Sequence, residues 1–207
     1  MPELDEFRRW FRDRNYSAIK RGLRNQIESN NYVYTHHPLG FLLAEVCQTA
    51  SATLRLHYWK QDLASLGSAI TPYHDHIWRL SSCVLHGEIE NCVLDVELRA
   101  DGEYFLTEVQ QREGVDSVPS EGDRASFEIS TSERIQEGGF YFLAPRVFHF
   151  SKLIPGKDAL TLVLSEPEIL GNPRTLMPIA SRGHAPKRKK MSNNEEISRE
   201  IVSLLEK

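Results

Sequence analysis

The chain has 207 residues and a mass of 23.8 kDa, the size of one large domain that can bury on the order of 70% of its unfolded surface. With 40% hydrophobic and 26% charged residues it is neither disordered nor collagen-like, and no apolar run approaches the roughly 20 residues of a bilayer span. A net charge of -4 and a pI near 6.1 argue against a nucleic-acid-binding surface, and three cysteines without CxxC spacing argue against disulfides or a structural zinc site.

The opening Met1-Pro-Glu-Leu-Asp-Glu6 lacks the basic-then-apolar pattern of a signal peptide, so the expected compartment is cytoplasmic. Leu4, Phe7, Trp10 and Phe11 recur at three- and four-residue steps, the pattern of an amphipathic helix lying on a larger body. A second helix is expected from about residue 17 to 29, ending at Asn30-Asn31. After Thr35-His-His-Pro38, in which His36 and His37 read as capping or packing residues, a short helix is expected to carry Phe41, Leu42, Leu43 and Val46 into the core. From residue 53 the period becomes two-fold. Thr53-Leu-Arg-Leu-His-Tyr-Trp59 places Leu54, Leu56 and Tyr58 on one face of a strand and Arg55, His57 and Trp59 on the other.

Further strands are expected at 73–78, 82–86, 92–98, 104–109, 125–129, 140–143, 147–153 and 159–164, separated by glycine and proline turns. Many short strands without alternating helices indicate a mainly β fold, an antiparallel jelly-roll barrel with helices at the N-terminus and a short C-terminal helix. The acidic stretch 108–137 reads as an insertion with its own hairpin, placed to cover the barrel mouth. Pro186-Lys-Arg-Lys-Lys190 reads as a solvated basic joint or, alternatively, a targeting cluster. A final helix follows the capping-box spacing of Ser192 and Glu195 and carries Ile197, Ile201, Leu204 and Leu205 on one side. The expected organisation is a helical segment at 1–50 packed on a barrel at 51–168, with a C-terminal extension at 169–207.

Histidine is the unusual count, at eight. His74 and His76 on one strand would point to the same side about 6 to 7 Å apart. Both can then converge on one metal ion, with His149 brought alongside from a later strand. The HxH spacing alone is also met in ordinary surface or core pairs. Asp75 points the other way and reads as a turn or surface partner. Arg55 is either a substrate-orienting cation or an exposed strand arginine. His57 is either a proton shuttle or substrate hydrogen-bonding group, or a hydrogen-bonded lining residue.

Pro72-Tyr-His-Asp-His-Ile-Trp-Arg-Leu-Ser-Ser-Cys-Val-Leu-His-Gly87 resembles the first motif of the cupin superfamily, a histidine pair leading into a strand closed by glycine. Gly139-Phe-Tyr-Phe-Leu-Ala-Pro145, followed by His149, resembles the second. The resemblance spans about residues 53 to 166 and implies a cupin barrel holding a divalent metal through His74, His76 and His149. The usual acidic ligand is absent, Leu80-Ser-Ser82 standing in its place, so three neutral imidazoles would leave the ion its full double charge. Arg146, Val147 and Phe148 fill the interval where the second motif usually carries a glycine.

Within the superfamily this set is similar to the thiol dioxygenases, which use ferrous iron to oxidise a thiolate to a sulfinate. Leu54-Arg-Leu-His-Tyr-Trp59, His149-Phe-Ser-Lys and Ala159-Leu-Thr-Leu-Val-Leu-Ser-Glu-Pro167 extend the similarity. Leu164 replaces a tyrosine of that family, Cys83 is out of register to crosslink with one, and the carboxylate-gripping arginine has no counterpart before residue 53, a place Arg55 can fill. The resemblance implies a mononuclear non-haem iron dioxygenase acting on a small anionic substrate, thiols included, with dioxygen as co-substrate. Arg55 and His57 would be its catalytic residues, and Trp59 and Trp78 would line the substrate pocket. The alternatives are a non-catalytic metabolite-binding cupin, or a lyase, isomerase or hydrolase that uses Zn(2+), Ni(2+) or Mn(2+) as a Lewis acid. The apolar faces of the terminal helices suit a homodimer.

Overall fold

The structure, a computed structural model, describes residues 3–64, 69–112, 115–119, 121–181 and 188–206. Two helices, α1 (Leu4–Arg12) and α2 (Tyr16–Ser29), precede strands β1 (Thr35–His37), β2 (Phe41–Gln48) and β3 (Thr53–Trp59) and a short helix α3 (Gln61–Ala64). Then come β4 (Trp78–His86), β5 (Glu88–Leu98), β6 (Tyr104–Glu108), β7 (Gln110–Arg112), β8 (Val115–Ser117) and β9 (Asp123–Gln136). The chain continues through β10 (Phe140–Leu143), β11 (Phe148–Leu153), β12 (Ala159–Pro167), β13 (Arg174–Pro178) and β14 (Lys189–Lys190) to helix α4 (Asn194–Glu206).

Seven strands form one sheet in the order β10-β4-β12-β3-β2-β1-β14, five form a second in the order β11-β5-β9-β6-β13, and β7 and β8 pair as a separate hairpin. Neighbouring strands are antiparallel. The result is the mainly β jelly roll expected, with helices at both ends of the chain. Gly87 turns the chain from β4 in the first sheet to β5 in the second. Its φ is +72°, and a Cβ there would collide with the Asp158 carbonyl oxygen, so only glycine fits this corner.

The seven-stranded sheet is covered on both faces, and β3 shows how. Leu54, Leu56 and Tyr58 point outward into a core shared with Leu42, Ala44, Leu85 and Leu162. Phe7 and Phe11 of α1, Ile19, Leu23 and Ile27 of α2, and Ile197, Ile201 and Leu205 of α4 close that core from the helix side. Each such leucine or isoleucine contributes roughly 1.5–3 kcal/mol on full burial. Arg55, His57 and Trp59 point the other way, into a cavity between the sheets.

The helix expected at 41–46 is instead strand β2. Leu42 and Ala44 pack under the helices while Phe41 and Leu43 meet the interior, so a strand buried on both faces shows no polar alternation and cannot be told from a helix by period. The stretch 108–137 is an insertion only in part. After the β7–β8 hairpin it becomes β9, the central strand of the five-stranded sheet, paired with β5 and β6. Residues 73–78 do not form a strand of their own. His74 makes isolated bridges to His149 and Thr175, and β4 starts at Trp78. Lys189 and Lys190 are solvated as expected but are no free joint, since they pair with His36 and Thr35 as the edge strand β14; Pro186 and Lys187 lie outside the described residues. The two sheets draw strands from both sides of the 51–168 span, namely β1, β2, β13 and β14. Among the described residues no helix is long and apolar enough to cross a membrane.

Candidate metal centre

The extended segment 73–76 occupies the gap between β11 and β13, the two edge strands of the five-stranded sheet. His74 N donates to the His149 carbonyl (3.1 Å), and His149 N donates back to that of His74 (2.9 Å). On the other side Asp75 N donates to Arg174 O (2.9 Å) and Leu176 N to Tyr73 O (3.1 Å). His74 and His149 therefore stand directly opposite one another, with ring centroids 4.7 Å apart. His76, two residues on, turns its ring to the same side, 4.7 Å from His74 and 5.1 Å from His149.

One ring nitrogen from each histidine lies within 4.8 Å of the others, a group that could bind a metal ion. Their orientation is set by oxygen atoms that can only accept. His74 Nδ1 donates to Pro72 O (2.7 Å), and His149 Nδ1 donates to Asn91 Oδ1 (3.0 Å). Each of these two rings is thereby held in the tautomer whose Nε2 carries a lone pair. His149 Nε2 in turn faces His76 Nε2 at 3.1 Å. At ligand distances of about 2.1 Å, neighbouring nitrogens on one ion stand roughly 3.0–3.4 Å apart, so this spacing suits a shared cation. Burial holds His76 and His149 well below the ordinary imidazole range, His76 further lowered by His74 and His149, and His149 by His74. Burial lowers His74 as well. All three are neutral at pH 7, the form that ligates.

Asp75 fixes the backbone between the two ligands, and it is no surface partner, being 0% exposed. Its Oδ1 accepts from Arg174 N and its Oδ2 from Arg174 Nε (2.6 and 2.7 Å), while Arg146 Nη1 lies 3.6 Å away. Arg146 N also donates to His76 O (2.8 Å), tying the loop before His149 to the segment that carries the other two ligands.

The histidines border a cavity of about 480 Å³, within the usual range for small-molecule sites. Arg55, His57, Trp59 and Trp78, the four residues expected to handle substrate, all line it. The Trp78 ring stacks on His76 (4.9 Å, 24°) and lies under the Arg55 guanidinium at 5.7 Å. Arg55 is therefore a cavity residue and not an exposed strand arginine. His57 stacks on Phe41 (4.5 Å) and meets Trp59 edge-on (6.3 Å), while Trp59 Nε1 donates to Thr161 Oγ1 (3.2 Å). Among the described residues His57 makes no hydrogen bond, and these aromatic contacts hold its ring in the cavity wall. Burial, reinforced by the positive charge of Arg55 and then of Arg188, pushes its imidazole down to about 3.

Four residues that border or orient the site were not assigned to it from the sequence. Asn91 sits in the middle of β5, and a buried asparagine inside a strand is itself a sign of a specific polar partner. Tyr141, inside the second motif, lines the cavity with its phenol raised by burial. His37 caps, its Nδ1 accepting from Leu39 N (3.2 Å), but it also lines the cavity and stacks on Phe41 at 4.5 Å. Arg188 reaches the cavity from the far end of the chain.

No family model and no curated protein matches this chain. Among solved structures it is similar to an RmlC-like cupin family protein with a double-stranded β-helix fold from Methanocaldococcus jannaschii, at 11% identity over 67% of this chain and 90% of that one, with a TM-score of 0.36. A polyketide cyclase from Streptomyces resistomycificus shares 14% identity over 84% and 92% of the two chains, with a TM-score of 0.36. Hydroxypropylphosphonic acid epoxidase from S. wedmorenis shares 11% over 65% and 55%, with a TM-score of 0.38. At these values the chemistry of the site rests on its own geometry.

Proposed function

We propose that this chain is a metal-dependent oxygenase of the cupin type, a mononuclear non-haem iron dioxygenase that oxidises a small anionic molecule, thiols among them, with dioxygen. The observation that supports this reading is the convergence of three neutral imidazoles on one point beside an apolar cavity whose wall carries Arg55. His74, His76 and His149 would hold the ion. An all-imidazole set suits iron, zinc, nickel or copper better than magnesium or calcium, which prefer oxygen ligands. Bound there, ferrous iron would supply open coordination positions and the electrons that dioxygen chemistry requires.

The protein's own residues do the rest. Arg55 lines the cavity, partly desolvated on Trp78 and with the Glu45 carboxylate opposite it on β2, and in this reading it binds and orients an anionic group of the substrate. A charge-assisted contact in such a setting is worth more than in water. Phe41, Trp59 and Trp78 exclude water from the reacting face. His57 stays neutral at any physiological pH and keeps both ring nitrogens for the substrate, one to accept a proton and one to donate a hydrogen bond. The Tyr141 phenol, held protonated by burial, is a second donor within the cavity.

Oxygen uptake by the iron-loaded chain, screened with small thiols and other small anions, tests this. Uptake that depends on both substrate and iron is the expected result. Turnover by the zinc-loaded protein without oxygen consumption would instead assign the site to Lewis-acid chemistry, and tight binding without turnover under either metal would make it a binding module.

A further inference from the structure

We infer that the cavity seats a flat aromatic ring against the uncovered face of His57, and that the substrate is an aromatic molecule bearing one acidic group and not an amino-acid thiol. That the acidic group meets a metal ion rests on the proposed function; the ring seat does not depend on it.

Three rings stand in a row on the inner face of the seven-stranded sheet, one from each of three adjacent strands. His37 of β1 lies on Phe41 of β2 at 4.5 Å and 8°, and Phe41 lies on His57 of β3 at 4.5 Å and 27°. Phe41 is thus covered from both sides, whereas His57 has a ring on one face only. Its other aromatic neighbour, Trp59, meets it edge-on at 6.3 Å. The strand on the far side of His57 is β12, and there the inward residues are short. Thr161 stands opposite His57 and Val163 opposite Arg55. Val163 and Ser165 line the cavity, with Leu80 of β4 beyond them. A wall of rings therefore steps down to a floor of short side chains. A planar ring standing on that floor continues the stack as its fourth member, within the 4.5–7 Å centroid spacing usual for aromatic pairs.

Size and charge agree with a ring. A cavity of about 480 Å³ belongs to the range that buries drug-sized ligands, and an amino-acid thiol would leave much of it wet against Leu39, Phe41, Ile77 and Met177. The charged groups at its border already have counterparts. Asp75 is held by Arg174 and Arg146, the Glu45 carboxylate stands opposite Arg55 and acts on its guanidinium, and Arg188 has a partner of its own. A heavily charged ligand would find too little to offset its lost hydration here, so one negative group is what the cavity suits. His57 is neutral, and its uncovered face offers apolar contact area to a ring. Stacking on that face favours a flat ring over a puckered one of similar size.

The test is calorimetric titration of the full chain, zinc-loaded and metal-free, with 2-naphthoate, benzoate, cyclohexanecarboxylate and butyrate. Benzoate and cyclohexanecarboxylate carry the same charge on rings of similar size and differ in flatness. The variants are H57L, V163F and V163L, with metal content and thermal unfolding recorded for each. Affinity is expected to fall from 2-naphthoate through benzoate to butyrate, and benzoate should bind about 3- to 10-fold more tightly than cyclohexanecarboxylate, the range for one aromatic pair. H57L should erase that preference while leaving cyclohexanecarboxylate within about twofold of the parent. V163F, which stands a ring of its own on the floor, should weaken 2-naphthoate at least about tenfold, and V163L, the milder change should V163F not fold, about threefold. Metal content should stay at the parent level in all three. Cyclohexanecarboxylate or butyrate binding as tightly as benzoate, or parental 2-naphthoate affinity in both folded Val163 variants, would overturn the inference. His57-dependent preference for flat acids in a chain that takes up no metal would leave the ring seat standing and remove the oxygenase reading. Iron-dependent oxygen uptake with cysteine, together with no preference for flat acids, would keep the oxygenase and overturn the ring seat.

Discussion

At the histidine end of the cavity two of the three rings have their outward nitrogen tied to an oxygen, His74 to Pro72 and His149 to Asn91. The backbone between His74 and His76 is clamped through Asp75 to Arg174. At the other end Arg55 and His57 have no hydrogen bond to a described residue and are held by stacking on Trp78 and Phe41. The first arrangement fixes direction as well as position, which a metal ion with short bonds demands. The second fixes position alone and leaves donors and acceptors to be satisfied by whatever enters, as a site for an exchangeable molecule requires.

Removing a ligand breaks the fixed end most completely. His149→Ala should lower metal content, measured by elemental analysis, from near one ion per chain to below about a tenth of that, because two imidazoles cannot retain the ion through purification. Occupancy equal to the parent would remove His149 from the site. Next in size is the clamp. Asp75→Ala leaves Arg174 and Arg146 without their partner and should cost about 3–5 kcal/mol of unfolding free energy in urea; a loss under about 1 kcal/mol would show that Asp75 does not hold the segment. Asn91→Ala frees the His149 ring while leaving it in place. Metal affinity should fall about 10- to 100-fold in a competition titration, with little change in the unfolding midpoint.

The loosely held end gives the smallest effect and a different signature. His57 titrates at about 3 in the folded chain, against about 6.5 unfolded. The unfolded state therefore binds the extra proton, so this contribution is complete above pH 6.5 and is lost as pH falls toward 3, at about 1.4 kcal/mol per unit. Between pH 7 and pH 5, metal-free His57→Phe should lose about 2 kcal/mol less stability than the parent. Equal losses in urea melts at the two pH values would show that His57 is solvated.

The legible and illegible parts of the sequence divide along similar lines. The two-fold alternation in Thr53–Trp59 placed Arg55, His57 and Trp59 on the cavity face because the opposite face is a continuous apolar row under the helices. His74, His76 and His149 could be grouped because a jelly roll constrains which strands meet. Phe41 to Gln48 was not readable as β2, since coverage on both faces erases the alternation that marks a strand. Arg188 left no local trace at all. Its place depends on a two-residue pairing between Lys189–Lys190 and Thr35–His36, across some 150 residues of chain, and in sequence it is one cation in a basic run. Asp75 was misjudged as a surface partner because its ion pair with Arg174 is equally remote.

The most direct test of the central claim is elemental analysis of the chain purified without chelator, beside His74→Ala prepared identically. The account predicts close to one iron per chain in the parent and almost none in the variant, with both proteins equally folded. Metal-free parent protein even after anaerobic incubation with ferrous salt, or equal iron in the two preparations, would contradict it.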